Sequence, residues 1–182
     1  MKLAPTPVVL FVLQILSWII FVGLSIEAGG YLTNAVFALF NPEAIKYLWK
    51  EVDLSALLRY DRTQFFTVVV VITIISTLKA VLFYLIIKVL YNKNLSISQP
   101  FNQPVIRFIH SASFITLLIG ICCISGMNYS YWLKGNGAVL PDSNELHFDG
   151  GDVWLFMAVT LFVIAQIFKK GIEIQTENEL TV

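Results

Sequence analysis

Lys79 is the residue whose chemistry is hardest to reconcile with its surroundings. It sits near the centre of the apolar run Gln64–Tyr91, QFFTVVVVITIISTLKAVLFYLIIKVLY. At about 1.5 Å per residue, a run of this length exceeds the roughly 30 Å hydrocarbon core of a bilayer and reads as a membrane-spanning helix. A charge at the middle of such a helix costs about 2.5–3.5 kcal/mol on insertion scales, and residues of this kind face a bundle interior or a watered cavity. The lysine therefore needs neutrality, water, a ligand or a partner helix. A structural lysine held in a polar layer is the non-functional alternative.

Counting inward from Lys88 puts Lys79 roughly 13 Å from the inner membrane edge. Similar depth on the other spans holds Gln14, Ser17, Ser111, Ser113, Thr116 and Thr160. These form a candidate intramembrane polar layer around Lys79, but none is a carboxylate. The acid that comes nearest is Glu27, expected at the outer end of the first span, just before Ala28-Gly29-Gly30. Arg59 and Arg62 lie near the start of the second span, at the same surface, and are its expected ion-pair partners.

Catalytic signals are absent. The chain has no HExxH, Walker, GxGxxG or GxSxG pattern. His110 and His147 lie in different regions and do not make a metal site, so no metal or cofactor is expected. The pair His147 and Asp149 reads as a structural or solvated loop feature. A membrane enzyme would need an outer polar cluster, for instance Glu27, His147, Asp149 and Asp152; no catalytic residue is assigned. The adjacent Cys122 and Cys123 lie in an apolar run and read as small apolar residues, because neighbouring side chains point apart.

The elements that must position these residues follow from hydropathy. Of the 182 residues 57% are hydrophobic and 13% charged, and mean hydropathy is +0.77. Soluble domains carry about 25% charged residues. The expected fold is all-α, one membrane domain over residues 1–182, with spans at about 7–28, 64–91, 105–127 and 153–168. The first run is longer than a signal-peptide core, so a retained helix is expected.

The first long loop, Gly29–Arg62, is expected to contain a short amphipathic helical segment. Asn41-Pro42-Glu43 reads as a helix start. Ala44, Ile45, Leu48, Trp49 and Val52 then share a face. Asp53 starts a second short helix with Leu54, Leu57 and Leu58 on its apolar side. In the third span Ala112, Thr116 and Gly120 make a small-residue stripe that lets another helix approach closely.

Charge sets the orientation. Lys2, then Lys88, Lys93 and Arg107, then Lys169 and Lys170 fall on one side of a four-span protein. The positive-inside rule makes that side cytoplasmic, with both termini inside and the two long loops outside. Zero net charge gives no case for direct nucleic acid binding. The bilayer and a second copy of the chain are the partners considered from the residues alone.

Several segments together resemble the domain of unknown function 2975 family of small bacterial membrane proteins, in a Bacteroidota-like form. They are Ile26-Glu27-Ala28-Gly29-Gly30, Phe40-Asn41-Pro42-Glu43-Ala44, Ser98-Gln99-Pro100-Phe101-Asn102, Asp152-Val153-Trp154-Leu155-Phe156-Met157-Ala158 and the ending from Ile167 to Leu180-Thr181-Val182. The resemblance implies four transmembrane helices and no defined catalytic residue. It also implies a neighbouring helix-turn-helix regulator as a cytoplasmic partner. Pro100, Phe101, Leu180, Thr181 and Val182 are the expected docking residues. The expected function is thus non-enzymatic sensing or regulation. The alternative is a small transporter or a lipid- or small-molecule-binding protein using the layer around Lys79.

Overall fold

The computed structural model describes residues 6–40, 52–91 and 102–179. Its elements are α1 (Thr6–Phe40), α2 (Ser55–Tyr60), α3 (Arg62–Leu90), α4 (Gln103–Gly135) and α5 (Gly151–Glu179). Four of these, α1, α3, α4 and α5, are long and apolar enough to cross a membrane. The stretch at 41–51, where the first amphipathic helix is expected, lies outside the described residues, as do Pro100, Phe101, Leu180, Thr181 and Val182.

Helix starts follow local chemistry. Asp61 caps α3, its side chain accepting from Gln64 N at 3.0 Å. Asn102 caps α4 in the same way through Val105 N at 3.0 Å, with a proline in the first turn. Both satisfy amides that a helix N-terminus leaves unpaired. Asp53 accepts from Ser55 N at 2.9 Å at the start of α2, whose Leu57 is fully buried. At the far end of α4, Gly137 takes a φ of 90°, and Ala138 N returns to Leu133 O at 3.1 Å.

The helices outrun the spans read from hydropathy. The largest difference is in α1, which passes through Gly29-Gly30 and continues to Phe40. Two glycines cost a helix about 2 kcal/mol relative to alanine. Opening the helix in an apolar medium would leave backbone groups unsatisfied at several kcal/mol each. Continuation wins, and Thr33 Oγ1 donates to Gly29 O at 2.7 Å within the continued helix.

The helices pack in chain order: α1 on α3, α3 on α4, and α4 on α5, with α2 laid against α3. No other helix pair among the described residues makes an extended contact. The α4–α5 seam is close because it is lined by small residues. A Cβ on Gly120 would lie 2.7 Å from Leu155 Cδ2 and 3.0 Å from the Gly151 carbonyl oxygen. Ser113 Oγ donates across this seam to Ala158 O at 2.9 Å. Gly120, the last residue of the small-residue stripe of α4, is therefore covered by α5 of the same chain.

Helix α5 begins low. Gly151 packs on Ile124 and Cys123, whereas α4 runs on to Gly135, about 18 Å further along its axis. The connection between them folds back down α4. Leu146 and Phe148 anchor it, both buried, and the Phe148 ring fills the space that a side chain on Gly126 would occupy.

Candidate functional site

The folded-back connection places His147 inside reach of α1. Its backbone takes a φ of 56°, in the left-handed region that non-glycine residues seldom occupy. Such a conformation costs of order 1–3 kcal/mol and persists only where the surroundings impose it. Here the two buried neighbours, Leu146 and Phe148, impose it. His147 N donates to Asn144 O at 3.1 Å, and the His147 carbonyl faces the Cys123 thiol at 3.9 Å.

Held in this way, His147 Nδ1 lies 3.7 Å from Glu27 Oε1. The same carboxylate oxygen accepts from Ser76 Oγ of α3 at 2.9 Å. The Glu27 side chain is only 17% exposed. One carboxylate thus joins α1, α3 and the α4–α5 connection.

This corrects the expected position of Glu27. Because α1 does not stop at Gly29-Gly30, the residue is interior to the helix and not at its outer end. Its partners are Ser76 and His147, and it makes no ion pair with Arg59 or Arg62. Arg62 instead donates to Leu39 O at 3.0 Å and Ala38 O at 3.3 Å, and lies over the Phe66 ring. Both carbonyls belong to the last described turn of the longer α1. Arg59 is exposed and lies near Asp53, whose carboxyl is held below its ordinary range, first by the Ser55 hydrogen bonds and to a lesser extent by Arg59.

Lys79 follows Ser76 by one helical turn, so both are on one face of α3, about 4.5 Å apart along the axis. A carboxylate is therefore close to the depth of the lysine after all. Lys79 is half-buried, and its Nζ lies over the Trp154 ring at 5.9 Å from the centroid. A contact of this kind contributes about 2 kcal/mol when desolvated, which offsets much of the burial cost. Asp149 is exposed on the α4–α5 connection. Asp152 is exposed in the first turn of α5.

The hydroxyls expected around Lys79 are used elsewhere. Ser17 Oγ donates to Leu13 O at 2.7 Å, Ser113 to Ala158 O and Thr160 to Phe156 O at 2.9 Å. Thr116 bonds Ala112 and Ser113 carbonyls. Gln14 is half-buried on α1. None of these hydroxyls hydrogen-bonds Lys79 among the described residues. His110 is exposed, with its ring against Phe162.

Sequence reasoning missed Ser76, Trp154 and the inward role of His147. One signal was available for Ser76, its i, i+3 relation to Lys79. Nothing in the spacing of residues 27, 76 and 147 announces that they meet.

Glutamate, serine and histidine are the residue types of a hydrolase triad, but their order differs. The carboxylate lies between the hydroxyl and the imidazole, so the base is not on the serine. The arrangement ties one carboxylate to a hydroxyl and an imidazole from two other parts of the chain. No group of three metal-ligating side chains occurs among the described residues.

Fold and site together define a multi-pass, all-α membrane protein with a polar centre inside its helices. A family model described as "Protein of unknown function (DUF2975)" matches residues 39–182, and the chain belongs to that family. No curated protein matches the chain, and no solved structure does. Ser76, Lys79, His147 and Trp154 lie in the matched part, while Glu27 comes from the preceding helix.

Proposed function

We propose that the protein is a non-enzymatic membrane sensor or regulator whose input is the Glu27–Ser76–His147 centre. The observation that carries this is the single carboxylate joining three parts of the chain. A change in the contacts of that carboxylate changes what holds α1 and the α4–α5 connection to α3. The centre has no ordered nucleophile–base pair, which favours sensing over catalysis.

The output belongs at the opposite end, where the basic residues Lys88, Arg107, Lys169 and Lys170 lie. We place that end in the cytoplasm of a bacterial inner membrane on the positive-inside rule. The α4–α5 register, set by Ser113 against Ala158 and His110 against Phe162, leaves the last turns of α5 beyond the start of α4. That extension is a docking arm for the helix-turn-helix regulator that the family resemblance implies.

Affinity capture of the tagged full chain from native membranes tests this reading. A helix-turn-helix protein is expected with the intact chain and not with residues 171–182 removed, and Glu27→Gln should alter the amount recovered. Recovery of no such regulator from the intact chain would overturn it.

A second reading, transport or small-molecule binding, is favoured by the half-buried Lys79 under Trp154. It requires that Lys79→Met abolish uptake by proteoliposomes.

A further inference from the structure

At the end of the bundle that carries the α3–α4 connection, a cavity of about 300 Å³ opens between the last turns of α3 and the first turns of α4. Lys88, Arg107 and Ser111 supply its polar groups, and Leu85, Val89 and Phe108 its apolar wall. Both cations are exposed, and neither has an ion-pair partner among the described residues. Neither α3 nor α4 contains an acid, so nothing on these two helices neutralises the pair.

Position decides what would enter. Lys88 closes the apolar run of α3, and Arg107 opens that of α4, so both stand where a bilayer's phosphates lie. The partial positive charge at the α4 N-terminus adds to theirs. Basic pockets between membrane helices are built to take anionic head groups. The apolar wall beside the cations is the part a free anion would not use and a lipid chain would.

We propose that this cavity binds a phosphate group, and specifically that of an anionic glycerophospholipid, with Lys88 and Arg107 on the phosphate, Ser111 donating to it and the upper acyl chain against Leu85, Val89 and Phe108. The site is separate from the Glu27 centre and does not depend on it. It makes the occupancy of the docking end sensitive to the charge of the surrounding lipid.

The test uses the purified full chain in detergent, with lipid retention read by native mass spectrometry and Tm read in parallel. The probes are phosphatidylglycerol, phosphatidylcholine and inorganic phosphate. Phosphatidylglycerol should be retained and raise Tm, while phosphatidylcholine should do neither. Lys88→Gln with Arg107→Gln should weaken phosphatidylglycerol binding about thirty-fold, the sum expected for two interfacial charges. Lys169→Gln with Lys170→Gln removes an equal charge from the same end outside the cavity and should change binding less than about threefold. Equal loss in both double variants would show a diffuse surface attraction and overturn the proposal, as would unchanged retention in the cavity variant. An equal Tm rise with inorganic phosphate, lost in the cavity variant, would overturn the lipid assignment in favour of a free anion.

Discussion

Ser76 Oγ donates to Glu27 Oε1 at 2.9 Å, across the seam between α1 and α3. A hydrogen bond to an ionised group contributes about 1.5–3 kcal/mol. Ser76→Ala should therefore lower the Tm of the detergent-solubilised protein by the equivalent of about 2 kcal/mol. Glu27→Gln, which still accepts from Ser76, should cost less than Glu27→Ala. Thermal unfolding followed by circular dichroism distinguishes the three.

His147 offers a backbone test and a side-chain test at one position. His147→Ala deletes the imidazole and keeps a β-carbon at a φ of 56°. His147→Gly deletes the imidazole and removes the strain. The glycine variant should be the more stable by about 1 kcal/mol. A glycine variant no more stable than the alanine one would mean that the connection does not hold this backbone in place.

Gly120 and Gly23 should respond in opposite directions. A Cβ on Gly120 meets Leu155 at 2.7 Å and backbone at 3.0 Å, whereas one on Gly23 meets nothing within 4 Å. Gly120→Ala should destabilise by about 1–3 kcal/mol through overpacking of the α4–α5 seam. Gly23→Ala should gain about 1 kcal/mol of helix propensity in α1. Paired Tm measurements decide it.

Lys79→Met removes a burial cost of about 2.5–3.5 kcal/mol and loses a ring contact of about 2 kcal/mol, so it should stabilise by about 1 kcal/mol. Trp154→Ala should destabilise the wild type more than it destabilises Lys79→Met. A double-mutant cycle on Tm reads the difference directly.

Asp53 gives a pH dependence outside the membrane. Its carboxyl is depressed chiefly by the side-chain and backbone hydrogen bonds of Ser55. A depressed folded value means that stability is present above the unfolded carboxylate pKa and fades as pH falls through the folded one. The group is largely exposed, so the effect is small. Amide exchange in α2 should rise below the ordinary carboxylate range, and Asp53→Asn should show that faster exchange at neutral pH.

Four helices were legible because each carries an apolar run near the thickness of a bilayer core, the run at 153–168 being the shortest, and α2 because Leu54, Leu57 and Leu58 share a side. Helix ends were not. Gly29-Gly30 looks like a terminus by propensity, and only the backbone's need for hydrogen bonds carries α1 through it. A terminus at Gly29-Gly30 puts Glu27 at the surface and leaves Lys79 without an acid near its depth; the continued helix removes both expectations. Arg62, a candidate partner of Glu27 by sequence, serves the carbonyls of the longer helix instead. The contact of His147 with Glu27 is not legible in the sequence, because it depends on a strained φ and on two anchors, Leu146 and Phe148, that look like ordinary loop hydrophobics. The hydroxyls of Ser17, Ser113 and Thr160 sit on the helices as expected, but each is satisfied by a carbonyl.

The order in which the helices pack has a consequence for how the chain is made. Synthesis runs from the N-terminus, and each long helix meets as its neighbour the next one to emerge. Glu27 is the exception. Its helix can enter the bilayer well before Ser76 exists, and longer still before His147 does. In that interval a carboxylate stands in lipid at an insertion cost of about 2.5–3.5 kcal/mol, carried by the leucine, isoleucine, valine and phenylalanine residues around it. The last polar partner to be translated is thus the one that completes the centre, so a chain truncated before residue 147 should insert its first helices and leave the carboxylate waiting.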